Sequence, residues 1–354
     1  MGIEAVRKPV MLSSLLMNFV FFLIKGYYMK TVRFGRTGVP VSELCFGTMS
    51  FGDQADASEA KNLYAACRKA GVTFFDCANV YSNGLAEEIL GSLIASERDE
   101  IILTSKCAMP SFDGTTNPLA RGANRRHITR SVEASLKRLG TDHLDVLFMH
   151  QWDTETPLDQ TLRALDDLVR SGKVLYLGCS NYAAYQTATA LGLQRANGWA
   201  PFDVIQPMYN LVKRQAEVEI LPLAQAEDMA VICYGPGGGG LLTGKYAPGI
   251  KPNDARLSTN VGYAKRYDEA WYYETAAAFT DLATSWGHHP LSLAIAWTAS
   301  HPGITCPIIG ARNTDQLKAS LAAVDIILSP EQRNQISALS RTPPVATDRL
   351  EDQR

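Results

Sequence analysis

Four polar side chains stand where short apolar runs of the sequence end, and their types suit proton transfer. Asp76, Lys106 and His150 each close such a run, and Tyr81 follows Asp76 by five positions on the loop that leaves it. A titratable group at the end of an apolar strand is not expected to stabilise the fold. In a parallel β/α barrel, however, active sites form at that end of the strands. The four residues are therefore candidates for one catalytic site.

The chemistry that this set could perform is proton delivery to a carbonyl oxygen. A free tyrosine titrates at about 10, and a neighbouring ammonium lowers its pKa by stabilising the phenolate. We expect Asp76 to orient Lys106 and balance its charge, and His150 to hold the carbonyl or relay the proton. Taken singly, these residues could be a structural ion pair, a packed tyrosine and a core histidine. Their occurrence at neighbouring strand ends favours catalysis.

Further polar residues follow the later apolar runs. Asn181 and Gln206 offer amide groups for a carboxamide, and Tyr234 offers a flat ring for stacking. Arg312 precedes a helix, whose free N–H groups favour phosphate, and arginine grips phosphate with two parallel hydrogen bonds. These features together suggest a nicotinamide dinucleotide. No G-x-G-x-x-G follows a strand, so the dinucleotide is expected to bind in a non-Rossmann way.

The elements that must position these residues are short apolar runs alternating with helical patterns, which is typical of β/α units and a parallel sheet. Strands are predicted at 43–47, 73–76, 101–105, 144–149, 174–179, 203–206, 230–234 and 304–309. Helices are predicted at 57–70, 84–95, 124–139, 158–171, 182–196, 214–227, 268–300 with an interruption near 287–290, 313–324 and 330–339. This order favours an α/β fold, a closed (β/α)8 TIM barrel, preceded by a β-hairpin at 31–42.

Two connections are long, at 107–123 and 235–267, and both follow strands, which places them on the C-terminal face of the barrel. Long loops inside compact domains are usually functional or mobile. Simple variation of the surface is the alternative interpretation of each loop.

The composition is that of a globular protein with a large core: 354 residues, 46% hydrophobic and 20% charged. This length permits two domains or one barrel. The net charge of −2 gives no basis for nucleic-acid binding. Seven scattered cysteines argue against a disulfide framework and for a reducing compartment, so we expect a cytoplasmic protein. No cysteine or histidine spacing suggests a metal site.

The first 28 residues do not match the pattern of the rest. Residues 9–24 are mostly apolar but fall short of the roughly 20 residues of a membrane span, and no clear signal-peptide cleavage site follows. We interpret 1–28 as a non-conforming extension or a mis-assigned start. Membrane contact by 9–24 and a docked helix stay open as alternatives. The barrel domain is predicted over 29–342 and a polar tail over 343–354.

Seven motifs, in order, resemble those of the aldo-keto reductases. They are FDCANVYSNG (75–84), TSK (104–106), MH (149–150), GCSNY (178–182), QPMYN (206–210), LLTGKY (241–246) and GAR (310–312). The resemblance covers about residues 30–340. It is closer to the bacterial, fungal and potassium-channel β-subunit branch than to the mammalian aldose reductase branch.

This resemblance implies a barrel that uses NADP(H) to reduce small aldehydes or ketones, or to oxidise the corresponding alcohols. Tyr81 would be the general acid, Lys106 would lower its pKa, Asp76 would hold Lys106, and His150 would orient the carbonyl. The implied cofactor residues are Gly47, Thr48 and Met49 at the first strand end, Ser180, Asn181 and Gln206 at the carboxamide, Tyr234 as stacking ring, Gly235 and Pro236 in the covering loop, Lys245 and Arg256 at the pyrophosphate, Gly310 and Arg312 at the 2′-phosphate, and Gln316 and Ser320 at the adenosine end. Trp152 would wall the substrate pocket, or simply pack in the core.

Two departures from the family pattern bear on cofactor affinity rather than on the chemistry. Gly235-Pro236-Gly237 stands where the family often has Ser-Pro-Leu, and glycine lowers the cost of open conformations. Ser320 stands where the family often has Asn. Two other functions stay open: an NADP(H)-binding subunit that reports redox state with little turnover, and a metal-assisted lyase. Both a monomer and a homo-oligomer are compatible with the sequence.

Overall fold

The fold is a closed barrel of eight parallel strands with helices between them. The structure is a computed structural model that describes residues 29–109, 118–246, 250, 252–253, 255–349 and 351. A hairpin of β1 and β2 precedes the barrel, whose strand order is β10-β3-β4-β5-β6-β7-β8-β9. The strands are β1 (Thr31–Arg33), β2 (Pro40–Ser42), β3 (Cys45–Gly47), β4 (Phe74–Asp76), β5 (Ile102–Cys107), β6 (Leu144–Met149), β7 (Val174–Ser180), β8 (Phe202–Gln206), β9 (Ala230–Cys233) and β10 (Cys306–Ile309). The predicted (β/α)8 barrel and its hairpin are confirmed.

The α-helices follow the predicted alternation closely. They span Ala57–Lys69, Leu85–Ile94, Arg125–Leu139, Leu158–Arg170, Ala184–Asn197, Ile220–Ala226, Arg256–Thr259, Val261–Arg266, Ala270–Ser285, Pro290–Ala299, Thr314–Leu321 and Pro330–Ser337. The helix predicted at 214–227 was too long, because α-helix begins only at Ile220. Pro222 lies in its first turn, where no N–H is needed, and Glu219, with φ −137°, interrupts the helical backbone just before it. The helices at 256–259 and 261–266 were not predicted.

The barrel interior is filled by alternate residues of the strands. Phe74, Phe148, Val204 and Ile232 belong to one buried cluster inside the barrel, whereas their neighbours along each strand pack outward against the helices. Because side chains alternate between the two faces of a strand, the residue two positions further along points inward again. The next inward-facing layer therefore lies at the C-terminal mouth of the barrel, and it contains the site.

The hairpin closes the opposite end of the barrel. Phe34 belongs to the interior cluster, and its ring stands edge-on to Phe74 at 5.4 Å between centroids. Arg36 fastens the hairpin by donating to Asp203 Oδ1 at 2.8 Å. Gly35 has φ +51°, and an added Cβ would lie 2.4 Å from the backbone N of Ala230, so this contact requires glycine.

Several predictions concern residues outside the described ones. The extension 1–28, including its apolar part 9–24, lies there, as do parts of both long loops and of the tail 343–354. No helix among the described residues is long and apolar enough to cross a membrane. The domain limits 29–342 and 343–354 stay a prediction.

Candidate active site

Asp76, Lys106 and Tyr81 form one hydrogen-bonded group at the barrel mouth. Asp76 ends β4 and Lys106 lies on the neighbouring strand β5, where Asp76 pairs in register with Thr104. Lys106 Nζ donates to Asp76 Oδ2 at 2.6 Å and to the Cys77 carbonyl at 2.8 Å, and it lies 3.3 Å from the Tyr81 hydroxyl oxygen. Both members of the ion pair are almost fully buried. The structure thus brings a phenol and a compensated ammonium into direct contact.

The Asp76 carboxylate has two further partners that the sequence did not indicate. Thr104 Oγ1 donates to Oδ1 at 2.8 Å, and Gln206 Nε2 donates to the same oxygen at 2.9 Å. Gln206 ends β8, which lies across the barrel from β4. Three donors therefore satisfy a carboxylate that would otherwise be buried at high cost. Oε1 of Gln206 accepts no hydrogen bond from the described residues, so it can accept one from a ligand.

The ionisation states follow from burial and from the charges in the group. Burial raises the pKa of Tyr81 to about 12, while the charge of Lys106 acts to lower it and that of Asp76 to raise it. Lys106 thus acts in the predicted direction, but burial outweighs it and the phenol is not acidified overall. Burial also acts to lower the pKa of Lys106, yet the charges and hydrogen bonds of Asp76 and Tyr81 raise it. At neutral pH the group is therefore phenol, ammonium and carboxylate.

His150 completes the group from the next strand end. Burial, with a smaller contribution from the charge of Lys106, lowers the pKa of His150 to about 3. The imidazole is therefore neutral. Its ring stands edge-on to the Tyr81 ring, with 6.2 Å between centroids. Its Nδ1 is buried and has no hydrogen-bond partner among the described residues. A neutral imidazole with a free ring nitrogen can bind a carbonyl or hydroxyl group without adding charge.

Asn181 joins the predicted stacking ring to the histidine. Its Nδ2 donates to the His150 carbonyl at 2.9 Å and to Ser180 Oγ at 3.2 Å, and its Oδ1 accepts from the Tyr234 hydroxyl at 2.8 Å. Asn181 holds a left-handed backbone, with φ +58°. Both ends of this amide are engaged within the protein, so it positions Tyr234 and His150 in addition to any contact it makes with a ligand.

A cavity of about 930 Å³ lies at this mouth. Most of the predicted site residues line it: Gly47, Met49, Asp76, Tyr81, His150, Ser180, Asn181, Gln206, Tyr234, Gly235, Pro236, Lys245, Arg256, Gly310, Arg312, Gln316 and Ser320. Thr48 lies behind the wall, where its hydroxyl donates to the Asp76 carbonyl at 3.0 Å. Lys106 lies beneath Tyr81. Trp152 is not among the lining residues, and its ring stands edge-on to Tyr182 at 5.1 Å.

The helix Thr314–Leu321 and the residues just before it contribute polar groups to the cavity lining. Arg312 precedes this helix and Gln316 lies in its first turn; both line the cavity, and the Arg312 N–H donates to Gln316 Oε1 at 3.1 Å. Ser320 Oγ is buried in the lining and has no hydrogen-bond partner among the described residues. A buried hydroxyl in this state needs a further partner, which water or a ligand can provide.

The glycine run of the covering loop lies close to its neighbours. An added Cβ on Gly237 would lie 2.8 Å from Leu291, and one on Gly239, whose φ is +67°, would lie 2.9 Å from Tyr263. A side chain at either position would have to displace Leu291 or Tyr263, and the positive φ of Gly239 further favours glycine there.

Arg266 is a lining residue that the sequence interpretation missed. It stands over the Tyr263 ring at 4.8 Å, and Arg256 stands over the same ring at 5.1 Å. Neither guanidinium has an ion-pair partner among the described residues. No sequence signal distinguished Arg266 from other surface cations. Among the described residues, no group of three or more His, Cys, Asp or Glu residues could hold a metal ion.

Comparisons with known proteins agree with this geometry. The model of the "Aldo/keto reductase family" matches residues 43–341. A "Probable voltage-gated potassium channel subunit beta" of Oryza sativa subsp. japonica is 36% identical over 330 residues, covering 90% of this chain and 99% of the relative. An "Uncharacterized oxidoreductase YrpG" of Bacillus subtilis is 36% identical over 86% of this chain and 93% of its own. A "Versiconal hemiacetal acetate reductase" of Aspergillus parasiticus is 31% identical over 86% of this chain and 95% of its own.

Proposed function

The chain belongs to the aldo/keto reductase family, and from that premise we propose that it reduces aldehydes or ketones to alcohols with NADPH, or oxidises the alcohols with NADP. The proton in the reductive direction comes from Tyr81. The observation that carries the proposal is the 3.3 Å contact between the Tyr81 hydroxyl and Lys106 Nζ, whose charge Asp76 compensates. The reductase name of the Aspergillus relative supports the same reaction class.

The protein residues divide the proton chemistry among them. When bound, NADPH would supply the hydride. The Tyr81 hydroxyl donates its proton to the carbonyl oxygen, because its raised pKa of about 12 keeps it protonated at neutral pH. Lys106 stabilises the phenolate that remains, and Asp76 keeps the ammonium charged in its buried place. The neutral imidazole of His150 orients the carbonyl beside the phenol.

The cofactor is proposed to lie along the cavity from Tyr234 to Ser320. The Tyr234 ring would stack on the nicotinamide, and Oε1 of Gln206 would accept from its carboxamide. Arg312 would grip the 2′-phosphate, which NADH lacks. Gly47, Thr48, Met49, Ser180, Asn181, Gly235, Pro236, Lys245, Arg256, Gly310, Gln316 and Ser320 would complete the site. The orphaned Ser320 hydroxyl and the glycine-lined wall support this placement.

A reducing compartment such as the cytoplasm is part of the proposal. All seven cysteines are buried and unpaired, and unpaired thiols are typical of reducing compartments.

The test is a screen of aldehydes, ketones and alcohols with both nicotinamide cofactors, followed by the absorbance of the reduced nicotinamide. We expect consumption of NADPH with some carbonyl compounds, faster than consumption of NADH. Tight NADPH binding without turnover on any substrate would contradict the proposal and favour the second candidate.

That second candidate is an NADP(H)-binding subunit that reports redox state to a partner with little turnover. The name of the rice relative favours it. The complete group of Asp76, Lys106, Tyr81 and His150 favours the reductase over the binding subunit. A protein that only binds NADP(H) does not need a phenol beside an ammonium whose charge a carboxylate balances.

A further inference from the structure

One buried amide, that of Asn210, holds two parts of the cavity wall together. Asn210 is fully buried and lies shortly after β8. Its Nδ2 donates to the Gly235 carbonyl at 2.9 Å and to the Tyr267 hydroxyl at 3.1 Å, and its Oδ1 accepts from the Val212 N–H at 3.1 Å. Both amide hydrogens are engaged within the protein, and Asn210 is not among the lining residues. Its role is therefore to position other residues rather than to contact a ligand.

Segments 235–240 and 263–267, which we call the covering segments, form one side of this wall. The two segments lie close together, since an added Cβ on Gly239 would be 2.9 Å from Tyr263. Asn210 bonds the first residue of one segment and the last residue of the other. A single side chain therefore fixes both segments where they join the rest of the barrel.

The part of the chain that carries Asn210 is fixed independently of the covering segments. The Tyr234 N–H donates to the Pro207 carbonyl at 3.0 Å, and the Tyr209 N–H donates to the Tyr234 carbonyl at 3.2 Å. These bonds extend the pairing of β8 with β9 as far as the residue before Gly235. The amide of Asn210 is thus a fixed point to which the covering segments attach.

The backbone at the start of the first covering segment can adopt other conformations at little cost. Gly235 has φ +71°, and an added Cβ there would have no atom within 4 Å. The Gly238 N–H donates to the Gly235 carbonyl at 2.9 Å, but that bond lies inside the segment and would move with it. Because glycine lowers the cost of open conformations, this segment gains most from a contact outside itself. The bond from Asn210 Nδ2 is such a contact.

Resting on the proposed function, we propose that Asn210 is a positioning residue that keeps the covering segments over bound NADP(H) and so slows the release of the cofactor. Release requires these segments to move away from Asn210. The buried Nδ2 then loses two acceptors at once, and leaving a buried donor unpaired costs free energy. Association begins with the segments already apart. The contribution of Asn210 therefore falls on the dissociation rate constant, where most differences in affinity arise.

The test measures NADPH dissociation by stopped flow, from the nicotinamide fluorescence after mixing with excess NADP. Asn210→Asp keeps the acceptor for Val212 but turns an oxygen towards the Gly235 carbonyl, and at pH 8 a carboxylate cannot donate. Tyr267→Phe keeps the ring and removes one of the two acceptors. We expect the dissociation rate constant to rise about tenfold or more in Asn210→Asp and about two- to tenfold in Tyr267→Phe. The association rate constant should match the wild type in both variants.

Asn197→Asp is the matched control. Asn197 Nδ2 donates to the Leu193 carbonyl at 2.8 Å at the end of a helix on the opposite face of the barrel, so this variant also loses an amide-to-carbonyl bond. Both of its rate constants should equal those of the wild type.

The outcomes separate this proposal from the proposed function. A merely structural role of Asn210 would lower the urea midpoint and leave dissociation unchanged, which overturns the proposal. Unchanged dissociation in Tyr267→Phe overturns it even if Asn210→Asp does not fold. NADPH binding without turnover contradicts the reductase function, while the dissociation rates still decide the role of Asn210. A wild type that binds no NADPH contradicts both.

Discussion

The buried ion pair predicts a specific stability effect of Lys106→Met. The substitution removes the ammonium but keeps an unbranched side chain of similar length at a fully buried position. It leaves the Asp76 carboxylate with two neutral donors, Thr104 Oγ1 and Gln206 Nε2. The free energy of unfolding is therefore expected to fall because a buried charge loses its counter-charge.

The magnitude follows from what remains around the carboxylate. Removing one partner of a buried pair costs about 3–5 kcal/mol. The two remaining hydrogen bonds offset part of the desolvation of Asp76, at about 1 kcal/mol each, which places the expected loss near the lower end, about 3 kcal/mol. That is a large share of the roughly 5–15 kcal/mol that stabilises a folded protein.

The assay is urea unfolding of the wild type, Lys106→Met, Asp76→Asn and the double variant at neutral pH. The raised pKa of Lys106 means that its contribution is fully present below the ordinary lysine pKa and is lost only as the pH rises through the raised value. The double variant removes both charges, so its loss should be smaller than the sum of the single losses by about 2 kcal/mol or more. A Lys106→Met protein that unfolds at the same urea concentration as the wild type would refute this reasoning.

Three other predictions concern the remaining parts of the site. The pKa of His150 is lowered to about 3, so the folded protein binds fewer protons than the unfolded chain as the pH falls from about 6.5 to 3. The contribution of the neutral imidazole to the free energy of unfolding is therefore lost over this range. His150→Gln should make the urea midpoint depend less on acid pH. Arg312→Ala should raise the Kd for NADPH about tenfold or more in a fluorescence titration and change the Kd for NADH little. Equal losses of affinity for the two cofactors would show that Arg312 does not bind the 2′-phosphate. Tyr234→Phe keeps the ring and loses only the bond to Asn181, so NADPH affinity should fall less than in Tyr234→Ala; equal losses would show that stacking is unimportant.

The barrel could be predicted because its strands are short apolar runs with one polar residue at the end. Three site residues of the inner layer stand two positions after an interior core residue: Asp76 after Phe74, His150 after Phe148 and Gln206 after Val204. This spacing of two follows from the strand geometry alone. A polar residue at an inward-facing position of a strand is therefore a feature of the sequence that indicates the site.

Contacts across the barrel could not be predicted in the same way. Gln206 reaches Asp76 from 130 positions away in the sequence, on the far side of the mouth. The sequence indicated the sign of the effect of Lys106 on Tyr81, but the net pKa also depends on burial, which only the packed structure provides.

The short helices of the covering loop depend on tertiary contacts. Arg256–Thr259 and Val261–Arg266 are too short to be stable alone. Leu257 is buried, and its N–H donates to the Tyr246 hydroxyl outside the two helices at 3.2 Å; such a contact leaves no periodic pattern to detect.

The central claim is that Tyr81 donates the proton, and the kinetics of Tyr81→Phe test it most directly. The variant keeps the ring and loses only the hydroxyl beside Lys106. We predict that kcat for NADPH-dependent carbonyl reduction falls about 10²–10⁴-fold while the Kd for NADPH stays close to that of the wild type. A variant that retains most of its turnover with unchanged cofactor binding would contradict the account.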